Sequence, residues 1–155
     1  MKLVIQRVNN ARVFADGVEN GYIDKGLYIL LGVVKGDEEK DADLLVDKTA
    51  KLRIFEDENG KMNLSVNDIS GEIMIVSNFT LNANYSHGNR PDYLLSAEPE
   101  IAKRLYRYFI DEMSKRVKRV AEGVFGADMR TELSTDGPVT IVMESEALKK
   151  KGNTK

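Results

Sequence analysis

The chain has 155 residues, of which 42% are hydrophobic and 31% are charged, and its net charge is −2. These values are typical of a single folded domain. A net charge of −2 does not indicate the basic surface that grips a long nucleic-acid backbone, although contact with a nucleic-acid end, where few phosphates matter, stays possible. The chain has no cysteine and one histidine, His87, which excludes disulfides, thiol nucleophiles and a histidine-rich metal site. With no signal-peptide core and no apolar run of about 20 residues, we expect a cytoplasmic protein without metal or cofactor.

The N-terminal third predicts a hairpin that leads into a central strand. Two β-prone segments, 3–8 and 11–15, are followed by Asp-Gly at 16–17, a dipeptide that indicates a tight hairpin when strand-like runs flank it. Residues 18–23 are the returning strand. The apolar run 27–34 is long enough for a strand at the centre of a sheet.

A helix is predicted over residues 37–53, with Asp37 as its N-cap and acidic residues in its first turn, where the helix dipole favours them. Residues 53–64 then predict a strand, an Asn-Gly turn and a returning strand. The acidic triplet 56–58 lacks the spaced oxygen ligands of a calcium loop, so we expect it to be solvated.

The stretch 72–81 is the most informative part of the chain. It begins as a β-branched apolar run, which is typical of a strand covered on both faces. Ser77, Asn78 and Thr80 then place polar groups where such a strand should stay apolar. Because a buried polar group without a partner costs about 1–3 kcal/mol, these residues indicate that the strand ends in a pocket. The alternative is a strand that leaves the core and caps itself with Ser and Thr turns.

The loop 82–93 is polar and aromatic, and loops of this length are often functional. Ser96 is the predicted N-cap of a helix that has Pro99 in its first turn and an apolar stripe lasting about six turns, to Val120. This helix is rich in Lys and Arg. Its basic face is either a solvated face or an RNA-facing surface, and the sequence leaves both interpretations open.

Residues 129–134 alternate with the period of a half-buried strand. A turn at 136–138 and a last strand at 139–143 follow. The basic tail, 146–155, is predicted to be disordered, which leaves residues 1–145 as a single domain.

The sequence offers no strong side-chain base. A Ser-His-Asp arrangement would have to use His87, which lies in a polar loop without an orienting partner. No glycine-rich phosphate loop is present. An enzyme with this sequence would therefore act by positioning its substrate and by backbone hydrogen bonds. Such chemistry suffices only for a reactive substrate, such as an activated ester.

Two segments resemble the signatures of one family. Residues 77–81, Ser-Asn-Phe-Thr-Leu, resemble the Ser-Gln-Phe-Thr-Leu signature of the D-aminoacyl-tRNA deacylases (D-Tyr-tRNA(Tyr) deacylases), and residues 136–140, Asp-Gly-Pro-Val-Thr, resemble their Asn-Gly-Pro-Val-Thr signature. The similarity runs from Met1 to about Met143. Its other segments are Gln6-Arg7-Val8, Lys25-Gly26-Leu27, Leu31-Gly32-Val33, residues 52–57, residues 60–64, Arg90-Pro91 and residues 125–129.

This resemblance implies an α+β fold, with a twisted, barrel-like β-sheet and two main helices packed on one side, in a homodimer. It implies hydrolysis of the ester that joins a D-amino acid to the 3′-terminal adenosine of tRNA, and rejection of L-aminoacyl-tRNA. Removal of glycine, including glycine mischarged on tRNA(Ala), is implied as well. The partner is then the acceptor end of aminoacyl-tRNA, and the biological role is chiral proofreading in translation.

The resemblance also implies the site. Ser77, Phe79 and Thr80 are the expected catalytic residues, with backbone N–H groups near Phe79 and Thr80 facing the oxyanion while the 2′-hydroxyl of the adenosine assists. Gly137 and Pro138, joined by a cis peptide, are expected to enter the pocket of the opposite subunit and to meet the α-amino group of the substrate. The side chain of an L-amino acid would clash with the backbone of this Gly-Pro segment.

Phe125 and Met129 are expected to pack against the adenine, and ordinary core positions are the alternative for both. Asn78 is a further substrate-binding residue, one methylene shorter than the Gln of the signature. The loop 86–90 is less basic than is usual in the family, which weakens the expected hold on tRNA phosphates. A non-catalytic dimeric module that binds RNA ends or amino-acid derivatives is the alternative to the hydrolase.

Overall fold

The computed structural model of the protein describes residues 1–149. The strands are β1 Lys2–Ala15, β2 Val18–Ile23, β3 Gly26–Gly32, β4 Phe55–Glu56, β5 Met62–Leu64, β6 Glu72–Ser77, β7 Val120–Glu122 and β8 Met129–Glu144. The helices are α1 Glu39–Ala50, α2 Pro99–Ser114 and α3 Ser145–Lys149, with a 3-10 turn at Phe79–Asn82. None of the helices in residues 1–149 has the length and apolar character needed to cross a membrane.

The sheet is built around β1. The N-terminal half of β1 pairs with β3, its C-terminal half pairs with β2, and β8 pairs with it along most of its length. The strands β3, β6 and β7 continue the sheet as parallel neighbours. On the far side β2 approaches β7, where Asn20 Nδ2 donates to the carbonyl oxygen of Glu122 over 2.8 Å. The sheet therefore curls into a nearly closed barrel.

The strand β6 lies between two hydrophobic layers, because successive side chains of a strand point to opposite faces. Ile73 and Ile75 pack into a cluster shared with α1 and α2, whereas Met74 and Val76 pack into the cluster inside the barrel. The two main helices thus cover one side of the sheet. Both the doubly covered strand and the α+β architecture are confirmed.

The start of α1 differs from the prediction. The N-cap is Glu38, whose backbone N–H donates to Asp41 Oδ2 over 3.0 Å. Asp37 does not cap the helix, because its carboxylate accepts the Val34 N–H at 2.6 Å and lies 2.6 Å from the α-amino nitrogen of Met1.

The second helix is shorter than predicted. It has Glu98 rather than Ser96 as N-cap, and it ends at Ser114 although the apolar spacing continues to Val120. Val120 pairs instead with Ile73 as the first residue of β7. Tertiary pairing with β6 therefore overrides the helical period over the last turns of the stripe.

The basic residues of α2 and of the segment after it lie largely beside carboxylates. The ion pairs are Arg104 with Glu39, Arg107 with Glu122, Lys115 and Arg116 with Glu112, and Arg119 with Glu72. These carboxylates neutralise the charge that an RNA backbone would need to meet. The structure favours the solvated interpretation of this face over an RNA-facing surface.

The two C-terminal strands of the prediction form a single strand, β8. Pairing with β1 continues on both sides of the predicted turn, since Gln6 pairs with Thr140 and Val8 pairs with Thr135. One residue of β1 therefore faces the four residues 136–139 of β8. The turn is where the sequence placed it, but it takes the form of a bulge within a continuous ladder.

Residues 146–149, assigned by the sequence to a disordered tail, belong to α3. This short helix is fastened to α1, where Lys149 Nζ lies 2.6 Å from Oδ1 of the fully buried Asp41. Burial alone would raise the pKa of Asp41, but the Lys149 ammonium and the Glu38 N–H outweigh it and hold that pKa below its usual value. The rest of the predicted tail, 150–155, lies outside the described residues.

We expect Lys149→Ala to lower the free energy of unfolding by about 1.5–3 kcal/mol, because it leaves the buried Asp41 carboxylate without its cation. The folded-state pKa of Asp41 is lowered, so the contact with Lys149 contributes its full stability above the ordinary carboxyl pKa of about 4. The difference in unfolding free energy between the two proteins should therefore be largest there and should shrink as the pH falls through the lowered pKa. Urea unfolding of both proteins across this pH range measures it. The control is Lys40→Ala, which removes an exposed pair with Glu38 and should change stability by less than about 0.5 kcal/mol.

Candidate active site

The candidate site begins where β6 ends. The N–H of Asn78 makes the last hydrogen bond to β3, donating to the Leu31 carbonyl oxygen over 2.8 Å. The chain then turns into the 3-10 turn, whose last residue, Asn82, is fully buried. Asn82 Nδ2 donates to the carbonyl oxygen of Val33 over 2.8 Å and reaches Ser96 Oγ at 3.3 Å. These bonds fix the turn against the loop that precedes α2.

A cavity of about 600 Å³ opens at this point, within the size range of small-molecule sites. Five of the eight residues predicted for the site line it, namely Ser77, Asn78, Phe79, Phe125 and Met129. Thr80, Gly137 and Pro138 are not among its lining residues. The prediction that the strand ends in a pocket is therefore confirmed.

The alternative interpretation, in which the strand caps itself, also describes part of the structure. Asn78 is the N-cap of the 3-10 turn, and its Oδ1 accepts the backbone N–H of Thr80 at 3.1 Å. The Thr80 hydroxyl donates to the same oxygen. The residue that caps is thus the asparagine rather than a serine or threonine, and it holds both donors of Thr80.

Phe79 stands at the rim of the cavity. Its side chain is 59% exposed, and its ring meets the ring of Tyr93 edge-on at 5.0 Å between centroids. As the first residue of the 3-10 turn, Phe79 has a backbone N–H that no carbonyl within the turn can accept. Phe79 can therefore offer a backbone donor to a ligand.

The far wall of the cavity contains a buried tyrosine that the sequence analysis missed. Tyr106 lies on α2 and donates its hydroxyl to the Ile75 carbonyl oxygen over 2.9 Å, and its ring lies 5.8 Å from that of Phe125. Burial, and to a smaller extent the negative charge of Glu122, raises the pKa of Tyr106 well above its ordinary value. The phenol therefore stays neutral. The helical stripe indicated a core face here, but no sequence pattern indicated that part of this face lines a cavity.

The position of Met129 in the cavity wall depends on a glycine. A Cβ at Gly123 would lie 2.6 Å from Met129 Sδ, so the thioether can lie directly against the backbone there. The same sulfur accepts the Val124 N–H at 3.4 Å. Glycine at 123 thus lets Met129 reach the cavity beside Phe125.

The Gly137-Pro138 segment lies on the bulge of β8, and both residues are exposed. Its peptide bond is cis, as the family resemblance implied. Arg7, which is 5% exposed, lies beneath the bulge. Its Nε lies 3.1 Å from Asp136 Oδ2 and donates to the Asp136 carbonyl oxygen over 3.2 Å, while Nη1 donates to the Ile54 carbonyl oxygen over 2.8 Å. Arg7 therefore fixes the residue that immediately precedes the Gly-Pro pair.

The chemistry of the cavity wall is that of a binding surface. Among the described residues that line it, Glu98 is the only carboxylate, and His87 is absent. The wall consists otherwise of apolar groups, hydroxyls, one amide and Lys35. Such a site can hold and orient an ester and offer backbone donors to it, but it lacks the histidine–carboxylate pair of a serine hydrolase.

A family model and two relatives with similar sequences point to one family. A family model described as D-Tyr-tRNA(Tyr) deacylase matches residues 4–144. The D-aminoacyl-tRNA deacylase of Persephonella marina is 53% identical over 148 residues, covering 96% of this chain and 100% of that protein. The D-aminoacyl-tRNA deacylase of Geobacter metallireducens is 52% identical over 145 residues, covering 94% of this chain and 96% of that protein.

Two solved structures have a similar fold. One is named c-Myc DNA Unwinding Element Binding Protein; it is 39% identical, covers 93% of this chain and 98% of its own, and has a TM-score of 0.88. The other is a probable eukaryotic D-amino acid tRNA deacylase; at 13% identity and a TM-score of 0.80, covering 92% of this chain and 98% of its own, it supports the fold alone. The family model and the sequence relatives together cover nearly the whole described chain, and the chain belongs to the D-Tyr-tRNA(Tyr) deacylase family.

Proposed function

We propose that this protein is a hydrolase that cleaves the ester bond of D-aminoacyl-tRNA and releases free amino acid and tRNA. The observation that carries the proposal is the cavity at the end of β6, because residues 77–79 of the matched signature form one of its walls. Family membership supplies the substrate class. The lack of a histidine–carboxylate pair on that wall agrees with a substrate that is already activated.

The chemistry follows from what the wall can offer. The carbonyl carbon of an aminoacyl ester is electrophilic, and the ribose carries a 2′-hydroxyl beside the ester oxygen that can assist in its own cleavage. The protein then needs to hold the ester and to stabilise the charge that develops on the carbonyl oxygen. The Phe79 N–H is the proposed first donor to that oxyanion, with Ser77 and Thr80 beside it. Asn78 completes this wall.

The adenosine is proposed to lie against Phe125 and Met129. Both side chains are partly buried and line the cavity, so they can accept a flat ring without being displaced from the core. A thioether beside an aromatic ring is a favourable contact. Binding only the terminal adenosine and its ester also agrees with the net charge of −2, since few phosphates need to be neutralised.

We further propose a homodimer in which Gly137 and Pro138 of one subunit enter the cavity of the other. Both residues are exposed and do not line the cavity of their own chain. The rim of that cavity carries exposed apolar side chains that a second subunit would cover, including Leu94 at 72% and Phe79 at 59% exposure. Backbone carbonyls of the Gly-Pro segment would then accept the α-amino group of the substrate, and an L side chain would clash with that backbone.

Glycine, which has no side chain to clash, is a proposed second substrate, including glycine mischarged on tRNA(Ala). The substrates are charged tRNAs, so the proposed location is the cytoplasm. The non-catalytic RNA-end or amino-acid binder remains the alternative hypothesis, because it needs the same cavity but no turnover.

The proposed function is tested by release of amino acid from D-Tyr-tRNA and Gly-tRNA, with L-Tyr-tRNA as the matched control. We expect catalytic release from the first two and none above the spontaneous rate from the third. Binding of D-Tyr-tRNA without release would support the non-catalytic alternative, and equal release from the D and L esters would refute chiral selection.

We expect Thr80→Ala to retain appreciable activity, because the proposed donors are backbone N–H groups and the assisting hydroxyl belongs to the substrate. Loss of a general base or covalent nucleophile costs about 10²-fold or more. Steady-state kinetics on D-Tyr-tRNA measure the effect, and circular dichroism controls for folding. A loss of 10²-fold or more in a folded variant would make Thr80 a side-chain catalyst and contradict this mechanism.

We expect Gly137→Ala to reduce activity more than stability. Gly137 has φ +136°, and a Cβ there would lie 2.4 Å from the Val139 backbone nitrogen, so the Gly-Pro segment must shift out of its place. The control is Gly60→Ala, at a hairpin turn with φ +72° and no atom within 4 Å of the added Cβ. It also puts a side chain at positive φ, which should lower the melting temperature, but it adds no clash and should leave activity unchanged.

A mixture of Gly137→Ala subunits with Phe79→Ala subunits, which lose the aromatic ring at the rim of the cavity, tests whether the site is shared between chains. Random exchange makes about half of the dimers mixed, and each mixed dimer has one intact site of two, so about a quarter of the wild-type activity should return. Mixed samples that stay at the level of the separate variants, although subunit exchange is demonstrated, would show that each site is built within one chain.

A further inference from the structure

The side chain of Asn78 holds both hydrogen-bond donors of Thr80 next to the cavity. Asn78 lines the cavity and Thr80 does not. Both donors of Thr80, the backbone N–H at 3.1 Å and the hydroxyl, end on the single oxygen Oδ1 of Asn78. The Thr80 N–H is therefore already hydrogen-bonded before a ligand arrives in the cavity.

This bond is a consequence of the length of the asparagine side chain. Asn, Asp, Ser and Thr at an N-cap carry an oxygen that reaches the backbone N–H two or three residues ahead. The backbone of Asn78, with φ −150° and ψ 95°, is in the extended conformation that such a cap requires. One added methylene moves the amide oxygen out of this geometry, so a glutamine at position 78 would not hold the Thr80 N–H in the same way.

We infer that Asn78 is a positioning residue that competes with the substrate for the Thr80 N–H and thereby slows the reaction. The inference rests on the proposed function, because the competing acceptor is the oxyanion formed from the ester. The Phe79 N–H serves that oxyanion throughout. The Thr80 N–H can serve as a second donor only when the amide of Asn78 has rotated away from it.

Removing the competition should change kcat and stability in opposite directions. A net hydrogen bond corresponds to about a 3- to 10-fold change in rate when it is gained only in the transition state. Releasing the Thr80 N–H should therefore raise kcat by about that factor and leave KM nearly unchanged, since the ground-state carbonyl carries little charge. Losing the cap should lower the melting temperature by about 2–4 °C. Substitution of a residue with a purely structural role would instead lower both kcat and the melting temperature.

Asn78→Gln is the variant that releases the Thr80 N–H, and Asn78→Asp is the variant that keeps the cap with a stronger acceptor. Asn84 offers a matched control, because its Oδ1 accepts the Ser86 N–H at 3.2 Å and the Ser86 hydroxyl at 2.8 Å in the same arrangement. Asn84 is not among the residues that line the cavity. Asn84→Gln therefore removes the same pair of bonds outside the cavity wall, together with the bond that Asn84 Nδ2 donates to Asp92 Oδ2 over 3.0 Å.

The experiment measures kcat, KM and melting temperature for the full chain and these three variants on D-Tyr-tRNA. We expect Asn78→Gln to melt lower and turn over about 3- to 10-fold faster, Asn78→Asp to keep its melting temperature and turn over more slowly, and Asn84→Gln to melt lower with kcat unchanged. An Asn78→Gln protein that is equally fast or slower, or an Asn78→Asp protein that is faster, overturns the inference while the proposed function stands. A wild-type protein that releases no amino acid from any of the esters overturns both.

Discussion

The site depends on one constraint, which is that β6 is covered on both faces and has to end where the covering ends. Ile73 to Val76 fill two opposite hydrophobic layers, and after Ser77 the chain can no longer bury alternate side chains on both sides. The backbone therefore leaves the sheet with polar groups that need partners. Asn78 supplies one for Thr80, and the buried Asn82 ties the turn to the loop before α2. A cavity with the backbone N–H of Phe79 at its rim results from the way in which this strand ends.

The second signature depends on β1 in a comparable way. Its ladder with β8 continues above and below Arg7, so the extra residues of β8 are forced outward as a bulge. The buried guanidinium satisfies Asp136 from below, which fixes the exposed Gly137 and Pro138 at the outer surface. An element that is exposed, outside its own cavity and preceded by a residue that Arg7 holds in place can serve a neighbouring copy of the chain, which is why we propose a shared site.

Much of this could be predicted from the sequence, because the patterns concerned are local. The β-branched run predicted β6, Asp-Gly at 16–17 predicted the first hairpin, and the polar end of β6 indicated the cavity. The end of α2 could not be predicted, because Val120 keeps the helical period and only its pairing with Ile73 makes it a strand residue. The cavity-lining role of Tyr106 and the contact of Lys149 with Asp41 were missed for a related reason, since both depend on partners far along the chain. The Asn78 cap could have been predicted from N-cap preferences alone.

The central claim is that the ester is cleaved with the help of its own 2′-hydroxyl, while the protein contributes a cavity and backbone N–H groups such as that of Phe79. The most direct test compares single-turnover cleavage of D-Tyr-tRNA ending in adenosine with cleavage of the same tRNA ending in 2′-deoxyadenosine, at saturating wild-type protein so that binding does not limit the rate. We predict that the deoxy substrate is cleaved at least about 10²-fold more slowly, a larger loss than Thr80→Ala causes. Equal rates for the two substrates would contradict the account and would require a protein side chain to do this work.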